Sequence, residues 1–151
     1  MLKTLVFDMD GTIADLYGVP DWLGYLQDSD PYPYENAYPL YDTALNDLLN
    51  RFKLLGWQIV IVSWLAKDST KAYDNAVRIA KREWLDRYNF PYDSLHFIKY
   101  GTTKANATRK MGGYQVLIDD NAKVRQGWHL GNTINASENI IPALLKELLK
   151  S

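Results

Sequence analysis

Cysteine is missing from all 151 residues, and that single absence removes disulfides, thiolate nucleophiles and thiolate metal sites. Any chemistry must be done by oxygen or nitrogen. Histidine is scarce, with two copies, and neither stands near a group of acids, so the ligands of a zinc centre are lacking. Charge of one sign is lacking too: Lys and Arg total 17 against 18 for Asp and Glu. No global field therefore gathers a nucleic-acid polymer or an anionic membrane, and recognition must be local. No apolar run approaches the roughly 18 residues that would span a bilayer. The run at the start, Leu2 to Phe7, is broken by Asp8 and is too short for a signal peptide. The expectation is a cytoplasmic protein, folded as one domain over 1–151, burying roughly two thirds of the surface its unfolded chain exposes.

What is present is an alternation of two periodicities. Leu2 to Phe7, Gln58 to Val62 and Gln115 to Ile118 read as buried strands, and Leu95 to Ile98 as a weaker fourth. Between them Ala44, Leu45, Leu48, Leu49, Phe52 and Leu55 make one helical face, with Asp42 or Thr43 as cap and Gly56 as terminator. Tyr73, Ala76, Val77, Ala80, Trp84 and Tyr88 repeat at the same spacing over a longer helix. A shorter one is expected over Thr103 to Met111, and a last one over Ile140 to Leu149 with Pro142 in its first turn. Strands alternating with helices imply parallel pairing, because each strand must be returned by a crossover. The expected fold is a three-layer α/β/α sandwich with a mostly parallel, Rossmann-like sheet.

One segment breaks this rhythm. Tyr17 to Tyr41 holds Pro20, Pro31, Pro33 and Pro39 together with Trp22 and six tyrosines. So many prolines forbid a long regular element. We read a small cap or lid inserted at about 16–41, with one short helix at Pro20 to Gln27, over one end of the sheet.

In open parallel sheets the ligand site lies beyond the carboxyl ends of the strands. The first strand is followed by Asp8, Met9, Asp10, Gly11 and Thr12, and the second by Ser63 and Trp64. The weaker one is followed by Lys99 and then Gly101 to Lys104, and the last by Asp119 and Asp120. Singly, each has an ordinary explanation: Asp8 to Gly11 as a turn, Ser63 as a strand-end hydroxyl, Lys104 as a solvated side chain, Asp119 to Asn121 as a helix cap. Their arrival on one edge argues for a shared site. Carboxylates crowded into one cleft repel, and a hard divalent cation relieves them. Mg²⁺ is the natural choice, since it takes oxygen ligands and commonly bridges carboxylates to phosphate. A phosphoryl group beside it would find the Ser63 hydroxyl, the Lys104 ammonium and the Gly11 and Thr12 backbone amides.

These residues resemble the motifs of the haloacid dehalogenase-like phosphohydrolases: Asp8-Met9-Asp10-Gly11-Thr12 after a hydrophobic strand, then Ser63, then Lys104, then Asp119-Asp120. The resemblance covers Leu2 to about Asn121. It implies that Asp8 attacks phosphorus to give an aspartyl-phosphate, and that Asp10 protonates the leaving oxygen and later activates water. It also implies that Asp8, the backbone carbonyl of Asp10 and one of Asp119 and Asp120 hold Mg²⁺, with Asp120 the preferred direct ligand. Asp10 two positions after the nucleophile points to phosphoryl transfer rather than dehalogenation. Lys99 is a rival for the role of Lys104, while His96 and His129 read as structural.

Within that family Asp8 to Tyr17 and Ala80 to Trp84, with its Lys81-Arg82-Glu83-Trp84 sequence, resemble the 5'(3')-deoxyribonucleotidase-like branch, whose better-known members carry a larger helical cap. A nucleoside monophosphate is accordingly the leading substrate, with Trp64 as a wall and Trp22 and the lid tyrosines able to stack on a base, though the same rings could simply pack the lid. Two other readings stand beside this one. One is a phosphotransferase. The other is a non-catalytic, receiver-like scaffold phosphorylated on Asp8; receivers, however, carry their acid pair on the first strand and the accepting Asp on the third, the reverse of the order here.

Overall fold

The computed structural model describes residues 1–150. Among them, five strands form one sheet: β1 Lys3–Phe7, β2 Gln58–Trp64, β3 Ser94–Ile98, β4 Tyr114–Asp119 and β5 Thr133–Asn135. Their order in space is β3-β2-β1-β4-β5, and every neighbouring pair is parallel. The chain therefore builds outward from β1 to β3, then crosses back to lay β4 on the other side of β1. That reversal leaves a crevice beyond the carboxyl end of β1, where ligands bind in open α/β sheets.

Period-two alternation supplies both faces with core. Leu5, Phe7, Ile59, Ile61, Val116 and Ile118 point to one side, where they meet α3 (Thr43–Leu54), α4 (Lys71–Arg87) and α7 (Ile140–Leu149). Val6, Val60, Val62 and Leu117 point to the other, under Ala105 of α5 (Lys104–Thr108) and Trp128, just past α6 (Ala122–Gln126). Caps fix the helix starts: the Asp42 carboxylate accepts from Ala44 N, Thr70 from Tyr73 N, Asn121 from Lys123 N, and Asn139 from Ile141 N.

Three local expectations are corrected. β2 does not stop at Val62; β3 runs beside it as far as Ile98, pairing with Ser63 and Trp64, so the strand continues through both. The helix expected over Thr103 to Met111 breaks at Thr108 into a 3₁₀ turn, Arg109–Met111. The segment at 16–41 holds two short helices where one was expected, α1 (Trp22–Gln27) and α2 (Tyr32–Asn36), the second tolerating Pro33 because it stands in its first turn. The segment leaves and rejoins the core through an antiparallel bridge between Ala14 and Pro39, flanked by Asp15 N to Tyr38 O at 2.8 Å and Leu40 N to Ile13 O at 2.9 Å. Leu16 and Tyr34 pack it onto Tyr73, Val77 and Ala80 of α4.

Candidate active site

The loop after β1 is a tight turn in which the amides of Thr12, Ile13 and Ala14 all aim at the Met9 carbonyl, at 3.2, 3.0 and 3.1 Å. Gly11 makes it possible: its φ is +81°, and a Cβ there would stand 2.6 Å from an Asp120 carboxylate oxygen. The missing side chain thus lets the loop after β4 close against the loop after β1. The Gly11 amide donates to the Ala14 carbonyl at 2.8 Å. Both backbone donors expected of Gly11 and Thr12 are therefore spent inside the turn, which corrects that expectation. The amides of Met9 and Asp10, by contrast, donate to no group among the described residues.

Asp8 sits at the centre, 8% exposed. Its Oδ1 accepts from Lys104 Nζ at 2.6 Å and its Oδ2 from the Thr12 hydroxyl at 2.9 Å. Lys104, the first residue of α5, is buried and also donates to Asp119 Oδ2 at 2.9 Å. Burial works against its charge, but Asp8 and Asp119 overcome it and hold the ammonium above its ordinary pKa. The other oxygen of Asp119 accepts from Asn121 N at 2.9 Å, so both are committed. Asp120 differs. It makes no ion pair among the described residues, and it accepts from the Thr12 hydroxyl at 3.4 Å. Burial, then the charge of Asp8, pushes its pKa up to about 7.

One oxygen from each of Asp8, Asp119 and Asp120 lies within 4.8 Å of the others, a group that could hold a metal ion. The donor set consists of oxygens alone, and Asp120 brings a charge that no side-chain cation offsets. Such a set fits a hard divalent cation.

Asp10 turns its carboxyl away from this group. Its Oδ2 accepts from Lys81 Nζ at 2.9 Å. Burial raises the Asp10 pKa, with Lys81 opposing it and Asp8 adding to it. Lys81 was not among the residues expected here. It is fully buried in α4 and also donates to Ser63 Oγ at 2.6 Å and to the Trp64 carbonyl at 3.3 Å, with the Tyr34 ring centroid 4.9 Å away. One sign of it existed in the sequence: 77, 81 and 84 share a helical stripe, and a lysine between Val77 and Trp84 is a charge in a core position.

Ser63 is 1% exposed and lies behind the cavity rather than on its wall. As a strand residue it shares the face of Ile61, towards α4, which is why it meets Lys81; Trp64 points the other way and lines the cavity. The cavity measures about 440 Å³ and opens over Asp8, Asp10, Lys104 and Asp120, between Trp22 and Tyr34 of the 16–41 segment and Trp64. The tyrosines divide. Tyr17 and Tyr34 line the cavity, Tyr17 meeting Trp22 edge-on at 5.0 Å, whereas Tyr41 packs inward against Trp84 and Phe90. Lys99 is exposed and lies off the cavity, as do His96, hydrogen-bonded to Ser94, and His129. No helix among the described residues is long and apolar enough to cross a membrane.

Comparison with protein-family models and with curated proteins gave no match. Solved structures do match. D,D-heptose 1,7-bisphosphate phosphatase from B. bronchiseptica, complexed with magnesium and phosphate, superposes with a TM-score of 0.60 at 11% identity, covering 99% of this chain and 100% of that one. The chain has the haloacid dehalogenase-like fold. The D,D-heptose 1,7-bisphosphate phosphatase of Burkholderia thailandensis shares this fold with a TM-score of 0.55 and 12% identity, over 97% of this chain and 98% of that one. A chain of the Pnkp1/Rnl/Hen1 RNA repair complex matches with a TM-score of 0.57 and 23% identity; the match covers 89% of this chain but spans only 42% of that one. In this fold the chain's acids stand where the sheet's direction of growth reverses, at the carboxyl ends of β1 and β4, and Lys81 of α4 and Lys104 of α5 reach them there.

Proposed function

We propose that the chain is a Mg²⁺-dependent phosphomonoesterase acting through an aspartyl-phosphate. One observation carries the reading: two carboxylates from a single turn, Asp8 and Asp10, face one cavity and are each held by a different buried lysine. Such a pair can divide labour. Asp8, steadied by Lys104 and Thr12, attacks phosphorus; the bond to the leaving oxygen breaks, and that oxygen takes the proton of Asp10. Asp10, now a carboxylate, takes a proton from water, whose oxygen attacks phosphorus and frees Asp8 with release of inorganic phosphate. Lys104 offsets the repulsion between carboxylate and phosphoryl group. Asp8, Asp120 and the Asp10 carbonyl would hold Mg²⁺, which adds positive charge against the phosphoryl oxygens. Asp120 is favoured over Asp119 because Asp119 is already paired with the Lys104 ammonium, whereas Asp120 pairs with no lysine.

The leading substrate is a nucleoside monophosphate. Tyr17, Trp22 and Trp64 bring aromatic rings to the cavity beside the acids, and a planar base gains about 1 to 3 kcal/mol from stacking on such a ring. The phosphatases among the structural neighbours support the chemistry rather than this substrate. The test is a panel of phosphomonoesters with Mg²⁺, including deoxyribonucleoside 5'- and 3'-monophosphates and sugar phosphates. Hydrolysis of at least one class is expected, and hydrolysis of none defeats the reading.

A further inference from the structure

The described reaction accounts for Asp8, Asp10 and Lys104 but leaves a second lysine, wholly inside the protein, without a task. We infer that Lys81 is a positioning residue for phosphoryl transfer, one that fixes the Asp10 carboxyl and the Ser63 hydroxyl together; this rests on the reading above. An ammonium has three hydrogens and accepts nothing. Lys81 has three acceptors, Asp10 Oδ2, Ser63 Oγ and the Trp64 carbonyl, at 2.9, 2.6 and 3.3 Å. No hydrogen is left over for a substrate, and with no exposed surface the side chain could not reach one. Its effect must pass through the groups it holds.

Two consequences follow from the bonding directions. Asp10 Oδ2 is tied back to α4, which leaves Oδ1 as the oxygen of that carboxyl free to exchange a proton with a leaving group or water. Ser63 Oγ receives a hydrogen from Lys81, so its own hydrogen must point elsewhere, and no described residue accepts it. Lys81 thus links the end of β2 to the turn after β1. The lid takes part as well. The Tyr34 ring, 7% exposed, covers the ammonium at 4.9 Å and shuts water from the bonds beneath. Burying a lysine is costly unless every hydrogen is matched. Here the match involves the proposed acid itself, which ties the placement of that acid to α4 and to the lid.

The test uses the full chain with Mg²⁺ and exploits its lack of cysteine. In Lys81→Cys the new thiol is unique, so alkylation with 2-bromoethylamine in denaturant, followed by refolding beside a refolded wild type, restores an ammonium at that position alone. Lys81→Met is expected to lower kcat about 100-fold with KM held within about threefold, and alkylated Lys81→Cys to regain about tenfold or more over its unalkylated form. Independently of turnover, the ¹⁵N resonance of the Lys81 ammonium, assigned by its loss in Lys81→Met, is expected to be protected from exchange and to shift in both Asp10→Asn and Ser63→Ala. The inference is overturned if Lys81→Met keeps kcat within about threefold of wild type. It is equally overturned if alkylation restores nothing in a variant that melts like wild type, or if the ammonium resonance ignores both partner substitutions. A protein that hydrolyses no ester fails the reading above, yet the resonance still decides the inference.

Discussion

Two groups of buried polar side chains occupy opposite ends of the sheet, and they are built on different terms. At the amino end, Glu147 of α7 is 5% exposed and accepts from Tyr114 Oη at 2.9 Å, Asn132 Nδ2 at 2.8 Å and Lys150 Nζ at 3.5 Å. One carboxylate is surrounded by donors. At the carboxyl end, Asp8, Asp10, Asp119 and Asp120 share two buried ammoniums, those of Lys81 and Lys104, and Asp120 touches neither. A buried carboxylate kept only for the fold needs its oxygens satisfied. Excess negative charge in a cavity destabilises the fold until a cation offsets it.

The contrast breaks most sharply under substitution of the central acid. Asp8→Asn is expected to cost about 10⁴-fold or more in kcat, because an amide cannot replace a carboxylate nucleophile. Circular dichroism and melting temperature should remain those of a folded protein. Asp10→Asn comes next, with a loss of about 10² to 10⁴. Asp8 is still in place to be phosphorylated, so a substrate with a good leaving group should give a burst followed by slow release; loss of the burst along with steady-state turnover would move Asp10 out of the second step.

The sequence showed this contrast only in part. Four of the strands were legible because each is a short, largely apolar run, and the acids because they stand where two of those runs end. β5 was not: it has three residues, of which Ile134 alone is buried, too few to show a period. α6 announced itself only through the Asn121 cap. The site was harder to read where its residues come from the middle of an element. Ser63 was expected after a strand but is held within one, and the register decided that it faces α4. Lys81 is contributed by a helix flank 18 residues further on, and only the stripe from Val77 to Trp84 marked it as buried. The fate of the Gly11 and Thr12 amides depended on turn geometry that no spacing of residue types discloses.

A pair of stability measurements sharpens the comparison at an intermediate scale. Without divalent cation, Asp120→Asn should stabilise the protein by about 1 kcal/mol, the gain from removing a charge that burial and Asp8 disfavour, discounted for its partial exposure. It should also abolish any rise in melting temperature on adding Mg²⁺, which in the wild type is expected to follow mass action. Glu147→Gln should do the opposite, lowering stability by about 1 to 2 kcal/mol in urea unfolding while leaving kcat unchanged. If both substitutions shift stability in the same direction, the distinction between a satisfied carboxylate and a surplus one fails.

The smallest effect concerns alkaline pH and isolates the amino-end cluster. Burial, together with the hydrogen bond to Glu147, pushes the Tyr114 phenol up to about 12 from an ordinary value near 10. A folded-state pKa above the unfolded one means that the neutral phenol is favoured by folding. The resulting stability is fully present below about pH 10 and is lost as pH rises towards 12. Tyr17, in the cavity, is also raised to about 12, by burial and then by Asp10 and Asp8. Replacing either by Phe should therefore flatten the decline in stability between these pH values. Only Tyr114→Phe should also lower stability at neutral pH, since it alone removes a bond to a buried carboxylate. Equal neutral-pH stabilities for the two variants, measured by denaturant unfolding, would mean that Glu147 does not depend on the Tyr114 hydroxyl and that the amino-end cluster is less complete than its distances imply.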